Sequence, residues 1–224
     1  MKLFKYLKKE HLEKFMSVGS LRIGTLLDYQ QGVHGDMVSD SSEGVGIYHG
    51  HVKHLSPEKV AEIPVLSQIF QRKTLIDCDF SNVQLAVEDF YIYSASTSYS
   101  SKTHEQWLIK ENYDACLIIN SPTLFMDAIS NAIRIVAIYR GLHHVNYHPN
   151  KSIKITSPLA KVHPALLKFQ RDFGNQNEMR AIWSSKNSNI ISPKIINVPS
   201  AIQYCSVYKV LDQEMKKDQP FGVE

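Results

Sequence analysis

Apolar residues recur along this chain in short blocks, and their spacing switches several times between the helical and the extended period. Over residues 8–17 the side chains Leu7, Leu12, Phe15 and Met16 share one face, which predicts a helix that Gly19 is placed to stop. Residues 21–25 read as a short strand with Leu21 and Ile23 on one side and Arg22 on the other. Residues 28–46 are rich in Gly, Ser and Asp and lack periodicity. They predict a long loop, a feature that is often functional in compact domains. Residues 47–54 alternate as a strand, and Pro57 marks a helix start.

Further strands are expected at residues 73–78, 83–87 and 90–96, followed by a helix over 104–111 that carries Trp107 and an apolar strand at 115–119. The clearest helix opens at Ser121-Pro122, where serine suits the cap and proline the first helical position. Its stripe of Leu124, Phe125, Ala128, Ile129, Ala132 and Ile133 needs a sheet to pack on. Strands are expected at 135–139, 152–156, 179–183 and 204–209 and a helix at 164–171, before a polar tail after Asp212. Strands arrive in uneven runs rather than in alternation with helices. That pattern predicts an α+β fold, mixed and largely antiparallel, with peripheral helices and residues 1–224 in a single domain.

Composition narrows the class. A hydrophobic content of 43% with a net charge of +3 excludes a disordered chain. No apolar run reaches the roughly 18 residues that a membrane span needs. Lys2, Lys5, Lys8 and Lys9 near the start have no apolar stretch behind them, so no signal peptide and no membrane partner is expected and the cytoplasm is the default location. Cys78, Cys116 and Cys205 are too scattered for a disulfide framework or a CxxC metal site, and each is expected in or near a strand as a small apolar residue. Charge is uneven: residues 1–138 carry 13 Lys and Arg against 16 Asp and Glu, whereas residues 139–224 carry 12 against 6. A basic second half suits a phosphate-bearing ligand or simply a solvated face.

Two histidine groups, His49/His51/His54 and His143/His144/His148, lack cysteine partners and an HExxH pattern, so no metal is expected. GxGxxG, GxxxxGK[ST] and GxSxG are absent as well.

Three fragments stand out together: Arg22 in an early strand; Ser96-Thr97-Ser98 closing the strand Phe90-Tyr91-Ile92-Tyr93-Ser94-Ala95; and Gln176-Asn177-Glu178 leading into Met179-Arg180-Ala181-Ile182-Trp183. In this order they resemble the arginine–serine–glutamate class of ADP-ribosyltransferases. The resemblance implies a split two-sheet fold holding NAD, as a substrate, in a cleft between the sheets. It implies Glu178 as the catalytic carboxylate, Gln176 as the acceptor-side residue and Ser96 as a positioning residue. Arg22 would bind the NAD pyrophosphate, with Ser98 and Tyr93 nearby. Cleaving the nicotinamide–ribose bond develops positive charge on the ribose, which a carboxylate stabilises, and a guanidinium binds a pyrophosphate bidentately. A small bacterial or phage protein of this kind would act in toxin or defence biology, on an acceptor left open between protein, nucleic acid and water.

The wider set Phe4-Lys5-Tyr6, Leu21-Arg22-Ile23-Gly24, Asp40-Ser41-Ser42-Glu43-Gly44 and Gln176-x-Glu178-x-Arg180 resembles a group of bacterial proteins of unknown function. It implies that Arg22, Asp40, Glu43, Glu178 and Arg180 converge. The blander expectation is that Arg22 pairs with Asp28 or Glu43, and that Glu178 and Arg180 form a same-face ion pair. Two rival functions follow from the same residues. One is a nucleic-acid-binding or processing protein using the basic C-terminal half, and the other is a non-catalytic interaction protein on a degenerate enzyme fold.

Overall fold

The block Ala115–Ile119 is apolar throughout because it forms a strand buried on both faces. The computed structural model that shows this describes residues 1–30, 39–71, 73–150, 152–187 and 191–211. Part of the 28–46 loop and the tail after Asp212 lie outside the described residues.

In chain order the first elements are β1 (Leu3–Leu7), α1 (Lys9–Val18), β2 (Ser20–Thr25), α2 (Leu26–Gln30), β3 (Val45–Leu55), α3 (Pro57–Ala61) and α4 (Pro64–Phe70). The middle of the chain forms β4 (Leu75–Ala86), β5 (Phe90–Ser96), α5 (Ser101–Glu111), β6 (Ala115–Ile119), α6 (Pro122–Ile133) and β7 (Ala137–His144). Then come β8 (Asn146–His148), β9 (Ile153–Lys154), β10 (Leu167–Phe169), α7 (Gln170–Phe173), β11 (Glu178–Ser185), β12 (Lys194–Asn197) and β13 (Cys205–Val210). The α+β architecture is as the pattern predicted, with an eight-stranded antiparallel sheet, a three-stranded sheet β4-β3-β9 and the parallel pair β8-β10.

The split takes the form of a fork in the large sheet. One edge of β5 pairs along its length with β11. On its other edge, β2 pairs at Ile92 and Tyr91, whereas β1 pairs at Ser96. Ser94 falls between these pairings, so β1 and β2 leave the same edge of β5 as two diverging arms. β1 continues to β6 and β13, β2 continues to β12, and α1 joins the arms in sequence. Gly19 ends α1 in the left-handed region at φ 71, and a Cβ there would lie 2.3 Å from the Val198 carbonyl carbon. Only glycine meets both demands.

Alternation along β5 and β11 separates two faces. Tyr91, Tyr93, Ala95, Met179, Ala181 and Trp183 join Phe15, Phe125 and Ile129 in the main core under α1 and α6. The opposite face carries Ser94, Ser96, Glu178 and Arg180. The three-stranded sheet has a second core around Tyr48, Val60, Leu66 and Phe80.

Several local expectations change. β1 lacks a clear apolar signature in the sequence, because Lys5 interrupts the pattern; the fork accommodates Lys5. Residues 28–30 complete the helix α2 rather than open a loop, and Leu75–Ala86 forms one strand, with Asp77 and Asn82 at positive φ, in place of the two expected at 73–78 and 83–87. The helix expected over 164–171 breaks into a 3-10 turn at Pro164–Leu166, β10 and α7, since β10 finds a partner in β8. The Ser121 side chain makes no capping bond. Ser100 does cap α5, its Oγ accepting from the Thr103 amide at 3.2 Å. Ser100→Ala should therefore lower stability by about 1 kcal/mol in urea unfolding.

Candidate functional site

A cavity of about 590 Å³ occupies the fork. Its walls come from β1, α1, β2, β5, α5 and β11, and it brings together Arg22, Tyr93, Ser96, Gln176, Glu178, Arg180 and Glu43. These residues are up to 158 positions apart in sequence (Arg22 to Arg180). Ser98 and Asp40 are not among its lining residues. Ser98 is exposed, because β5 ends at Ser96 and the chain turns toward the cap of α5. Asp40 instead builds a turn, its Oδ1 accepting from the Ser42 amide at 2.9 Å and from the Ser42 hydroxyl at 2.6 Å. That turn delivers Glu43.

The floor is a buried cluster of two acids and two bases. Arg180 Nε and Nη2 donate to Glu178 Oε1 at 3.0 and 2.9 Å. Nη1 donates to Glu43 Oε1, and Nη2 reaches Glu43 Oε2 at 3.3 Å. Lys168 Nζ lies 2.8 Å from Glu178 Oε2 and 3.8 Å from Glu43 Oε2. None of the four side chains is more than 5% exposed, so only mutual neutralisation makes their burial tolerable. Burial alone would raise the Glu178 carboxyl, but the Arg180 and Lys168 charges outweigh it and hold the group well below the usual carboxylate range. Glu178 is therefore ionised. Its backbone amide donates to the Tyr147 hydroxyl at 3.0 Å, and Gln176 is buried just before it.

Lys5 fills the crotch of the fork. Its Nζ donates to the Ser94 carbonyl at 2.7 Å, satisfying a strand-edge acceptor that lies between the two pairings. The ammonium also stands 5.0 Å over the Tyr93 ring, so Tyr93 supports Lys5 from its place in the core. Burial lowers the Lys5 pKa to about 8, opposed by the Glu178 charge and assisted by Arg22. Arg22 pairs with Asp28 at 2.5 Å, as the blander expectation had it, and still faces the cavity. Tyr29 folds over Gly24, and a Cβ at Gly24 would meet its hydroxyl at 2.5 Å.

Lys5, Lys168 and Tyr29, with Lys8 at the cap of α1 and His11 and Lys14 within it, line the cavity without having been singled out as site residues from the sequence. A lysine buried by tertiary pairing has no local signature. The spacing of Lys8, His11 and Lys14 by three is a legible signal of one helix face. The basic second half supplies Lys168 and Arg180, but the mouth cations come from the N-terminal elements.

Among the described residues no group of His, Cys, Asp and Glu is arranged to hold a metal. His51 instead meets Asp79 at 2.9 Å and Asp77 at 3.3 Å on the exposed side of the β3–β4 pair. The cysteines are free and lie in strands, with burial pushing Cys116 up to about 12. No helix among the described residues is long and apolar enough to cross a membrane.

Fold and site thus define an α+β domain with a cationic cleft above a neutralised carboxylate floor. Comparison with known proteins finds no matching family model, curated protein or solved structure.

Proposed function

We propose that the fork cleft binds NAD and cleaves its nicotinamide–ribose bond, in the manner of an ADP-ribosyltransferase-like enzyme. The observation that carries this reading is the convergence of Arg22, Ser96, Gln176 and Glu178 on one cavity. Arg22 and Lys5 would face the pyrophosphate, while the ionised Glu178 would stabilise the positive ribose. The C–N bond breaks, its electron pair leaves on nicotinamide, and C1 of the ribose is taken by the acceptor with loss of the acceptor's proton. Toxin or defence biology is the setting that suits such an activity, with protein, nucleic acid or water as acceptor.

The test is nicotinamide release by the purified protein. Glu178→Gln should lower it about a hundredfold, within the usual range for a positioned catalytic group, while circular dichroism shows the fold retained. A second reading, a nucleotide-binding module without turnover, is favoured by the engagement of both Glu178 oxygens by Arg180 and Lys168. It expects ADP-ribose to bind and no nicotinamide to appear.

A further inference from the structure

At the end of the cavity away from Glu178, three aromatic rings form a shelf. Trp107 and Tyr113 stack with ring centroids 5.1 Å apart and planes within 6°, and Tyr6 lies 6.2 Å from Trp107 with planes within 18°. All three line the cavity. The cause is local. α5 ends with Asn112 at φ 59, its amide bonding back to Leu108 and the Tyr113 amide bonding back to Trp107 at 3.1 Å. This reversal brings the residue after the cap against the residue six back, which fixes the Tyr113 ring on the Trp107 ring. Both rings remain partly open, whereas Tyr6 is buried.

The shelf stands in line with the charged groups. Phe4 is paired with Ser96, which is paired with Glu178, while Leu7 is paired with Ala115, two residues after Tyr113. Phe4 and Leu7 are three residue steps apart in β1, about 10 Å at roughly 3.3 Å per step. Lys5 lies between these ends in β1, and Arg22 lines the same cavity. Along β1 the order is therefore carboxylate, lysine, aromatic shelf.

We infer that the Trp107–Tyr113 shelf is a purine-stacking subsite, holding the adenine of an adenosine diphosphate moiety whose phosphates lie over Lys5 and Arg22. The inference rests on the proposed NAD reading and assigns which end of the dinucleotide lies where. A flat base on a flat ring needs no sequence-specific hydrogen bonds, and cations beside the shelf accept the phosphates. The nicotinamide end then falls at Glu178.

The chain has two tryptophans, and Trp183 is fully buried with its Nε1 donating to Ser130, so fluorescence reports the shelf through Trp107. ADP, which lacks the scissile bond, should quench this emission, and Trp107→Phe should abolish the quench. Tyr113→Leu, which keeps an apolar contact against Trp107, should weaken ADP about tenfold, the scale of one lost base stack, and leave inorganic pyrophosphate binding unchanged. Equal ADP affinity in Tyr113→Leu and the wild type, or absence of ADP binding to the wild type, overturns the subsite. ADP binding that depends on Tyr113 without nicotinamide release keeps the subsite and removes the catalytic reading. Nicotinamide release with a KM for NAD indifferent to Tyr113→Leu does the reverse.

Discussion

Arg180→Met is expected to lower the free energy of unfolding by about 3–5 kcal/mol, the range for removing one partner of a buried ion pair. The guanidinium is 1% exposed, and it holds both Glu43 and Glu178 while Nη1 also donates to the Ala165 carbonyl at 2.6 Å. Its removal leaves two buried carboxylates facing Lys168 alone. Methionine is of similar length, so little volume is lost and the penalty is chiefly that of unpaired charge. A second variant isolates the cause. Arg180→Met combined with Glu43→Met restores a balanced Glu178–Lys168 pair and should recover part of the loss. Urea unfolding of the two proteins decides the matter: a single-variant cost under about 1 kcal/mol would falsify the buried-charge description of the floor.

The second large effect is a dependence of stability on mildly acidic pH. His104 is completely buried, its Nδ1 3.2 Å from the Tyr99 hydroxyl and its ring 5.1 Å from Tyr6. Burial lowers its pKa to about 4, assisted by the Lys209 charge and opposed by Asp114. In the unfolded chain it titrates near 6.5, so between pH 6.5 and 4 the unfolded state binds more protons. Stability contributed by neutral His104 is thus complete above pH 6.5 and is lost as pH falls toward 4, by about 3 kcal/mol. His104→Gln should flatten this slope. A variant whose unfolding free energy changes with pH as steeply as the wild type would assign the slope elsewhere. Glu178 acts in a separate window, because a carboxyl held below its unfolded value stabilises above about pH 4.3 and weakens the fold only below it.

Both effects come from residues that the sequence shows unequally. Glu178 and Arg180, two apart in a strand, were legible as a same-face pair, because the extended backbone fixes that relation locally. Their burial was not, since it requires Glu43 from 135 residues upstream of Glu178 and Lys168 from β10. His104 looked like one more helix residue; only the packing of α5 on β1 makes it a titrating core residue.

The apolar periodicity by itself determined the helices α1 and α6, the all-buried strand β6 and the α+β class, because these depend on the local period of side chains and on which face must leave water. It also set Arg22 opposite Leu21 and Ile23, and it ordered the Arg, Ser and Glu fragments along the chain. The fork was decided only in three dimensions. Whether β1 and β2 take the same edge of β5 depends on long-range pairing, which local propensity does not encode, and Lys5 reads as a flaw in β1 until the Ser94 carbonyl gives it a partner. The cavity, its charge order and the aromatic shelf follow from that branching.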